Sequence, residues 1–259
     1  MRTVHALAAI AVFAALPVVA HADAGAVDFQ KKVVKCTGSG AANLRDAQNN
    51  PAVARIGAEK AAKLDAVRNC METISGMTVS QGQTAGGVLG SDKALAGKVQ
   101  GIVKGYKVVD KRYFEDGGVE LDVEVPMDGV LSEALMPKGE AKAVPAKGEP
   151  AGTCLVVDAR GRKLVKALAP RVLDESGAEF YGPAMLNETA RRLGGSAIYA
   201  KDLDAAKKAE PARVGDKPVN VRAIGADGAD VVISTADAAA LKGKNLGFLA
   251  EGRVVILTD

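Results

Sequence analysis

The 259-residue chain has no tryptophan, five phenylalanines and four tyrosines. It therefore lacks the stacking platforms of single-strand nucleic-acid binders and the aromatic girdles of a membrane barrel. An excess of one charge is missing too. The 34 Lys and Arg against 31 Asp and Glu leave a formal +3, so no electrostatic footprint for nucleic acid is present. Histidine is scarcest of all: both copies, His5 and His21, lie in the first 22 residues. Those residues read as an export signal. Arg2 supplies a positive n-region, Ala6 to Val19 an apolar h-region broken by Pro17, and Ala20-His21-Ala22 an A-x-A cleavage site. The run is short of the roughly 20 residues of a bilayer span, and no longer one follows. The expected mature chain begins at Asp23, has no transmembrane span, and is periplasmic or outer-membrane-associated.

That mature chain has no histidine, which excludes Ser-His-Asp and Cys-His hydrolases, His-ligated zinc enzymes and His-ligated haem. No S-x-x-K occurs, since Ser91 is followed three on by Ala94 and Ser234 by Asp237, and G-x-S-x-G is absent. Chemistry built only on carboxylates survives this filter. No catalytic, cofactor or metal residue is assigned, and the expectation is a protein that is not an enzyme. Three cysteines, Cys36, Cys70 and Cys154, allow one intrachain pair. An oxidising compartment makes Cys36 and Cys70, within one segment, the candidate disulfide; two inert buried thiols are the alternative.

The stretch 137–151 is rich in Pro, Lys, Gly and Ala without apolar periodicity and reads as an extended linker. It divides the mature chain into domains at 23–136 and 152–259. In the first, Phe29 to Thr37 reads as one strand. Asn50-Pro51 is an N-cap followed by a first-turn proline, opening a long helix that ends near Gly76. Val53, Ile56, Leu64, Val67, Met71 and Ile74 form its apolar stripe. Met77 to Ser80 reads as a strand, Gly82 to Gly90 as a loop, and Ser91 as the cap of a further helix. Tyr106–Phe114 and Val119–Val125 flank an Asp-Gly turn, a hairpin signature. Val130 to Leu135 adds a helical turn. In the second domain, strands are expected at Cys154–Val157, Ala167–Leu173, Val219–Ile224, Val231–Ser234 and Arg253–Leu257. Helices are expected at 185–193 and 203–208, and from a Ser234 cap through Leu249. The fold class is α+β: a long amphipathic helix packed on an antiparallel sheet, followed by a second small α+β domain.

Four features invite a chemical reading. Glu120, Asp122 and Glu124 share one strand face at period two, with Asp110 opposite, an arrangement suited to Ca²⁺ or to an acid/base pair. Lys111 and Arg112 on the partner strand favour a solvated charged face instead. Glu175-Ser176 resembles the Glu-Ser of lytic transglycosylases, but Asp174-Glu175-Ser176-Gly177 has a turn composition. Gly38-Ser39-Gly40 fails as a dinucleotide fingerprint because Asn43 replaces the third glycine. Gly82, Gly86 and Gly90, then Gly97, Gly101 and Gly105, have the G-x-x-x-G spacing that permits close helix approach and self-association.

The run Ala58-Glu59-Lys60-Ala61-Ala62-Lys63-Leu64-Asp65-Ala66-Val67-Arg68-Asn69, continuing through Ile74-Ser75-Gly76-Met77-Thr78-Val79, resembles the bacterial twenty-kilodalton Lpp-type lipoprotein family. That family includes flagellar assembly protein P and resembles the N-terminal domain of flagellar assembly protein T. Gly117 to Pro126 looks like the hairpin closing the same domain, so the resemblance spans about residues 30–130. It implies a non-catalytic envelope protein tied to the outer membrane, peptidoglycan or a flagellar structure, and protein partners in the envelope are expected, with self-association through the glycine-spaced faces a further expectation. The lipid-modified Cys of the lipoprotein members is missing, because Cys36 lies far from Ala22. Two other function classes stand beside this one: a periplasmic carboxylate-dependent hydrolase or lytic enzyme, and a ligand- or Ca²⁺-binding module.

Overall fold

The computed structural model describes residues 25–43, 45 and 50–259; the expected export signal, with His5 and His21, lies outside them. Among the described residues are seven α-helices and thirteen strands in an α+β arrangement. None of these helices is long and apolar enough to cross a membrane.

The first half is a four-stranded antiparallel sheet in the order β1-β2-β6-β5. It comprises β1 (Gly25–Asp28), β2 (Val33–Gly40), β5 (Lys107–Tyr113) and β6 (Val119–Pro126). The single strand expected at 29–37 is thus a turn at 29–32 followed by β2. The β5–β6 hairpin is as the alternation predicts, with Gly117 at φ +83° in its turn, a backbone conformation that side chains with a Cβ avoid. Helix α1 (Pro51–Gly76) covers one face, and the Asn50 side chain accepts hydrogen bonds from the Ala52 and Val53 amides at its start.

Of the apolar stripe expected on α1, Ile74 is buried and Val67 and Met71 pack half-buried against the core, but the rest of the buried face is different. Ala54, Ala58, Ala62, Ala66, Cys70 and Ile74 face the sheet, whereas Val53, Ile56 and Leu64 are 51%, 54% and 74% exposed. The cause lies on β2. Gly38 and Gly40 point at the helix, and a methyl group on Gly38 would overlap the backbone of Ala62 and Ala66, as one on Gly40 would overlap that of Ala58. Glycine against alanine lets the helix lie directly on the strand along one i, i+4 ridge. Cys36 and Cys70 are joined by a disulfide across this contact, with Cα atoms 5.4 Å apart and 34 residues between them. Closing such a loop restricts the unfolded chain by about 2–4 kcal/mol.

The 82–90 segment is not a loop. It forms part of a two-stranded ribbon, β3 (Thr78–Ser80) with β4 (Gln83–Thr84), and the helix α2 (Ala85–Ser91). The next helix, α3 (Lys93–Val103), is capped by Asp92 rather than Ser91. Gly97 and Gly101 on α3 have nothing packed against them, whereas Gly86 on α2 lies against the backbone of Ser75 on α1, so one glycine of the G-x-x-x-G spacing makes a close helix approach, within the chain.

The second half carries a mixed seven-stranded sheet in the order β10-β13-β7-β11-β12-β8-β9. Its parallel centre is β10 (Ile198–Ala200), β13 (Val254–Leu257), β7 (Cys154–Asp158) and β11 (Pro218–Asp227). β12 (Asp230–Ile233), β8 (Val172–Asp174) and β9 (Glu179–Tyr181) extend it. Of the strand expected at 167–173 only the last part forms, and in place of a helix at 185–193 there are two short 3-10 turns, Pro183–Met185 and Ala190–Arg192. Helices α5 (Leu203–Ala209) and α6 (Pro211–Val214) precede β11, and α7 (Thr235–Lys242) is capped by Ser234 but stops short of Leu249.

The halves share one continuous apolar core, running from Val34 and Ile74 to Leu168, Tyr181 and Ile256. Helix α4 (Val130–Leu135) lies in the seam, where Gly129 donates to Arg192 O at 2.7 Å and Ser132 Oγ to Arg191 O at 2.8 Å. Residues 137–151 are extended and tied to the second half. Lys142 N donates to Ala184 O, Leu246 N to Pro145 O, and Asn245 Nδ2 to Gly148 O.

Gly38→Ala is predicted to destabilise the fold by about 1–3 kcal/mol, because the helix backbone must retreat from the strand. Urea denaturation reads this directly; an unchanged midpoint would mean that helix and strand are not in close contact.

Candidate functional site

The face of the first sheet turned away from α1 is the candidate site. In β6 the alternation buries Val119, Leu121, Val123 and Val125 and turns Glu120, Asp122 and Glu124 outward. The β5–β6 register sets Arg112 opposite Glu120 and Asp110 opposite Asp122. Arg112 becomes the hub. Its Nε donates to Glu120 at 3.0 Å, Nη1 to Asp110 at 2.8 Å and to Asp122 at 2.5 Å, and Nη2 to Asp122 at 3.0 Å. Thr37 Oγ1 completes the set, donating to Asp122 at 2.8 Å. The Arg112 hydrogen bond holds the Asp122 carboxyl below its ordinary value, with Thr37 and the charge of Arg112 adding to it.

This geometry bears on both chemical readings of the carboxylates. A general acid needs a raised pKa, and the Asp122 value moves the other way. A Ca²⁺ site needs uncommitted oxygens, whereas three of the four carboxylates are engaged by one guanidinium. Beside them runs an open groove of about 410 Å³ lined by Lys35, Thr37, Val109, Asp122 and Glu124. Lys35 in turn pairs with Asp28 at 3.0 Å.

The remaining sequence candidates lie apart from this face. Glu175 Oε2 accepts from the Thr235 amide at 3.0 Å, so it caps α7. Ser176 Oγ and N both donate to Asp174, which makes 174–177 the turn its composition suggests. The Ser39 amide, between Gly38 and Gly40, is taken by Asp65 at 3.0 Å and is not free to cradle a phosphate. Cys154 is buried, and burial pushes its thiol up to about 11. Among the described residues no group of His, Cys, Asp and Glu is placed to hold a metal ion.

One polar cluster had no signal in the sequence. Lys32, in the β1–β2 turn at φ +54°, reaches across the seam to Glu210 at 2.5 Å. Glu210 also meets Arg213 at 3.2 Å, and Arg213 is tied to Gly252 O. Burial lowers the Lys32 pKa, aided by the Arg213 charge and opposed by Glu210. Next to it Phe29 stacks edge-on against Tyr199, with ring centres 5.8 Å apart. The cluster is a joint between the halves, closed to solvent on most sides.

Residues 154–259 match a family described as the second domain of Treponema pallidum Tp0624. The match begins at the first residue of β7 and covers less than half of the chain. Curated proteins give no match to the chain.

The Arg112 hub predicts a pH signature. Because the Asp122 pKa is depressed in the fold, its contribution is present at neutral pH and is lost as pH falls below about 4. Arg112→Leu leaves Asp110, Glu120 and Asp122 to repel one another when ionised. The gap in urea midpoint between wild type and variant is therefore expected to be widest at neutral pH and to narrow in acid. A gap that is constant with pH would show that Arg112 acts only through packing.

Proposed function

We propose that the protein is a non-catalytic factor of a Gram-negative cell envelope. In this reading it is exported, with its signal cleaved after Ala22, and acts in the periplasm or at the outer membrane. It works by holding other envelope components, among them protein partners at the outer membrane, peptidoglycan or flagellar basal structures. The observation that supports this best is where apolar surface is left uncovered. Of ten large apolar side chains exposed among the described residues, seven lie on α1 and along β5 and its turn: Val53, Ile56, Leu64, Val108, Val109, Tyr113 and Phe114. Apolar surface gathered on two elements marks an interaction region more readily than scattered residues do. The resemblance of residues 30–130 to Lpp-type lipoproteins supports the same reading. The hydrolase and Ca²⁺ readings draw less support, since Arg112 neutralises the carboxylates they need.

A photoreactive residue placed at Ile56 or Leu64 tests the proposal in living cells. Adducts with defined envelope proteins are expected at these positions and not at Lys147 in the extended 137–151 segment. Failure to crosslink anything would remove the main support. Purified protein that released soluble fragments from peptidoglycan would overturn the non-catalytic reading outright.

A further inference from the structure

Strand β5 is an edge. It pairs with β6 on one side only, and six of its seven residues are exposed. Exposed edges invite pairing unless they are blunted, and the question is what this one accepts.

The register with β6 assigns the faces of β5. Val108 lies opposite Val123, Lys111 opposite Leu121 and Tyr113 opposite Val119, so these three are on the α1 side. Asp110 and Arg112 are on the outer side. A bulge at Val109 restores Val108 to the α1 side. Lys111 is held there by Glu59 of α1, and Arg55 of α1 lies over the Tyr113 ring at 5.3 Å.

We propose that β5 pairs with β5 of a second copy of this chain, antiparallel about a two-fold axis at Lys111, so that two four-stranded sheets become one of eight. Charge selects that register. An axis at Asp110 sets Asp110 against its own copy and an axis at Arg112 sets Arg112 against its own copy, and neither forms an opposite-charge pair between the two strands. With the axis at Lys111, Asp110 meets Arg112 of the other copy twice. The bulge then brings Tyr113 opposite Val108 of the other copy on the α1 side, also twice. The one like-charge pair is Lys111 with itself, and each Lys111 already has its own Glu59. An axis between residues would place outward side chains against inward ones and is excluded by the pleat.

The placement of α1 leaves the edge clear. It lies over β2, two strands in from β5. With strands about 4.8 Å apart, two such helices would stand about 24 Å from each other across the axis, beyond the 8–10 Å of direct helix contact. The dimer goes beyond the proposed envelope role and fails separately from it. A monomer would overturn the dimer and leave the role standing, and enzymatic turnover would do the reverse.

Light scattering of the purified full-length exported chain across a concentration series is expected to show twice the chain mass. Asp110→Arg should return it to the mass of one chain while circular dichroism stays unchanged. For the register, single cysteines are introduced at Asp110, Lys111 and Arg112; Cys154 is buried and Cys36 is bonded to Cys70, so only the new thiol is accessible. Lys111→Cys is expected to form the interchain disulfide fastest under mild oxidation. A mass of one chain at every concentration overturns the proposal. A faster crosslink at Asp110→Cys or Arg112→Cys, or none at any of the three, overturns it as well.

Discussion

The contact between the alanine ridge of α1 and the two glycines of β2 sets the arrangement of the whole first half. A helix normally stands off a sheet on the bulk of its own side chains. Here Gly38 and Gly40 remove that spacing on one side and Ala58, Ala62 and Ala66 on the other, and the Cys36–Cys70 disulfide fastens the same line. A helix set this close is committed to a single strand. It cannot slide toward β5 without driving a larger side chain into the groove. The larger apolar residues of α1 are therefore turned away from the sheet. The exposure of Val53, Ile56 and Leu64 follows from the tight seat of Ala58 and Ala62.

The second constraint is the seam. The β1–β2 turn carries Phe29 and Lys32 into the second half, and Arg191 reaches back to Met136 O and Pro137 O. Backbone bonds from Leu168 to Thr78 and from Ala169 to Val79 join the small β3–β4 ribbon to the loop before β8. Gln81 meets both Asp227 and the Ala229 amide. Contacts of this kind come from three separate segments of the first half, the β1–β2 turn, the β3–β4 ribbon and α4 with its ends, and a single apolar core runs beneath them. A mobile hinge would need few crossing contacts and a small, polar interface. This seam has the opposite character.

Much of this was legible in the chain, and the illegible parts have a common cause. Asn50-Pro51, the Asp-Gly turn at 116–117 and the Ser234 cap are local signals, satisfied by residues within a turn of one another. They read correctly. The first part of the α1 stripe, Val53, Ile56 and Leu64, is not the buried one, because alanine is weakly apolar and its burial is decided by glycines that lie 18 to 28 positions away in sequence. The carboxylate trio was visible as a pattern, but Arg112 as its hub required the β5–β6 register, bulge included. The extended form of 137–151 was legible too; its attachment was not, since Gly148 is tied to Asn245, 97 residues on. Lys32 gave no sign, because nothing local predicts a lysine at positive φ held by a glutamate from the other half.

The two sides of the first sheet receive opposite treatment. On the β1 side, Gly25 of β1 lies opposite Cys36, and side chains of α1 reach the backbone of β2 next to it. Asn69 donates to Thr37 O at 2.7 Å and Asp65 accepts from Ser39 N at 3.0 Å. These are the backbone groups that an added strand would use, and α1 has occupied them. It can do so because it sits over β2, within reach of that side. For the same reason it is two strands away from β5 and reaches it only through the tips of Arg55 and Glu59, which bind the side chains of Tyr113 and Lys111 and leave the backbone alone. The closeness of helix and strand thus seals one flank of the sheet with hydrogen bonds and leaves the other open. Alternating charge and a bulge are the only restraints on the open flank, and charge that alternates in sign restrains most partners while fitting its own antiparallel copy.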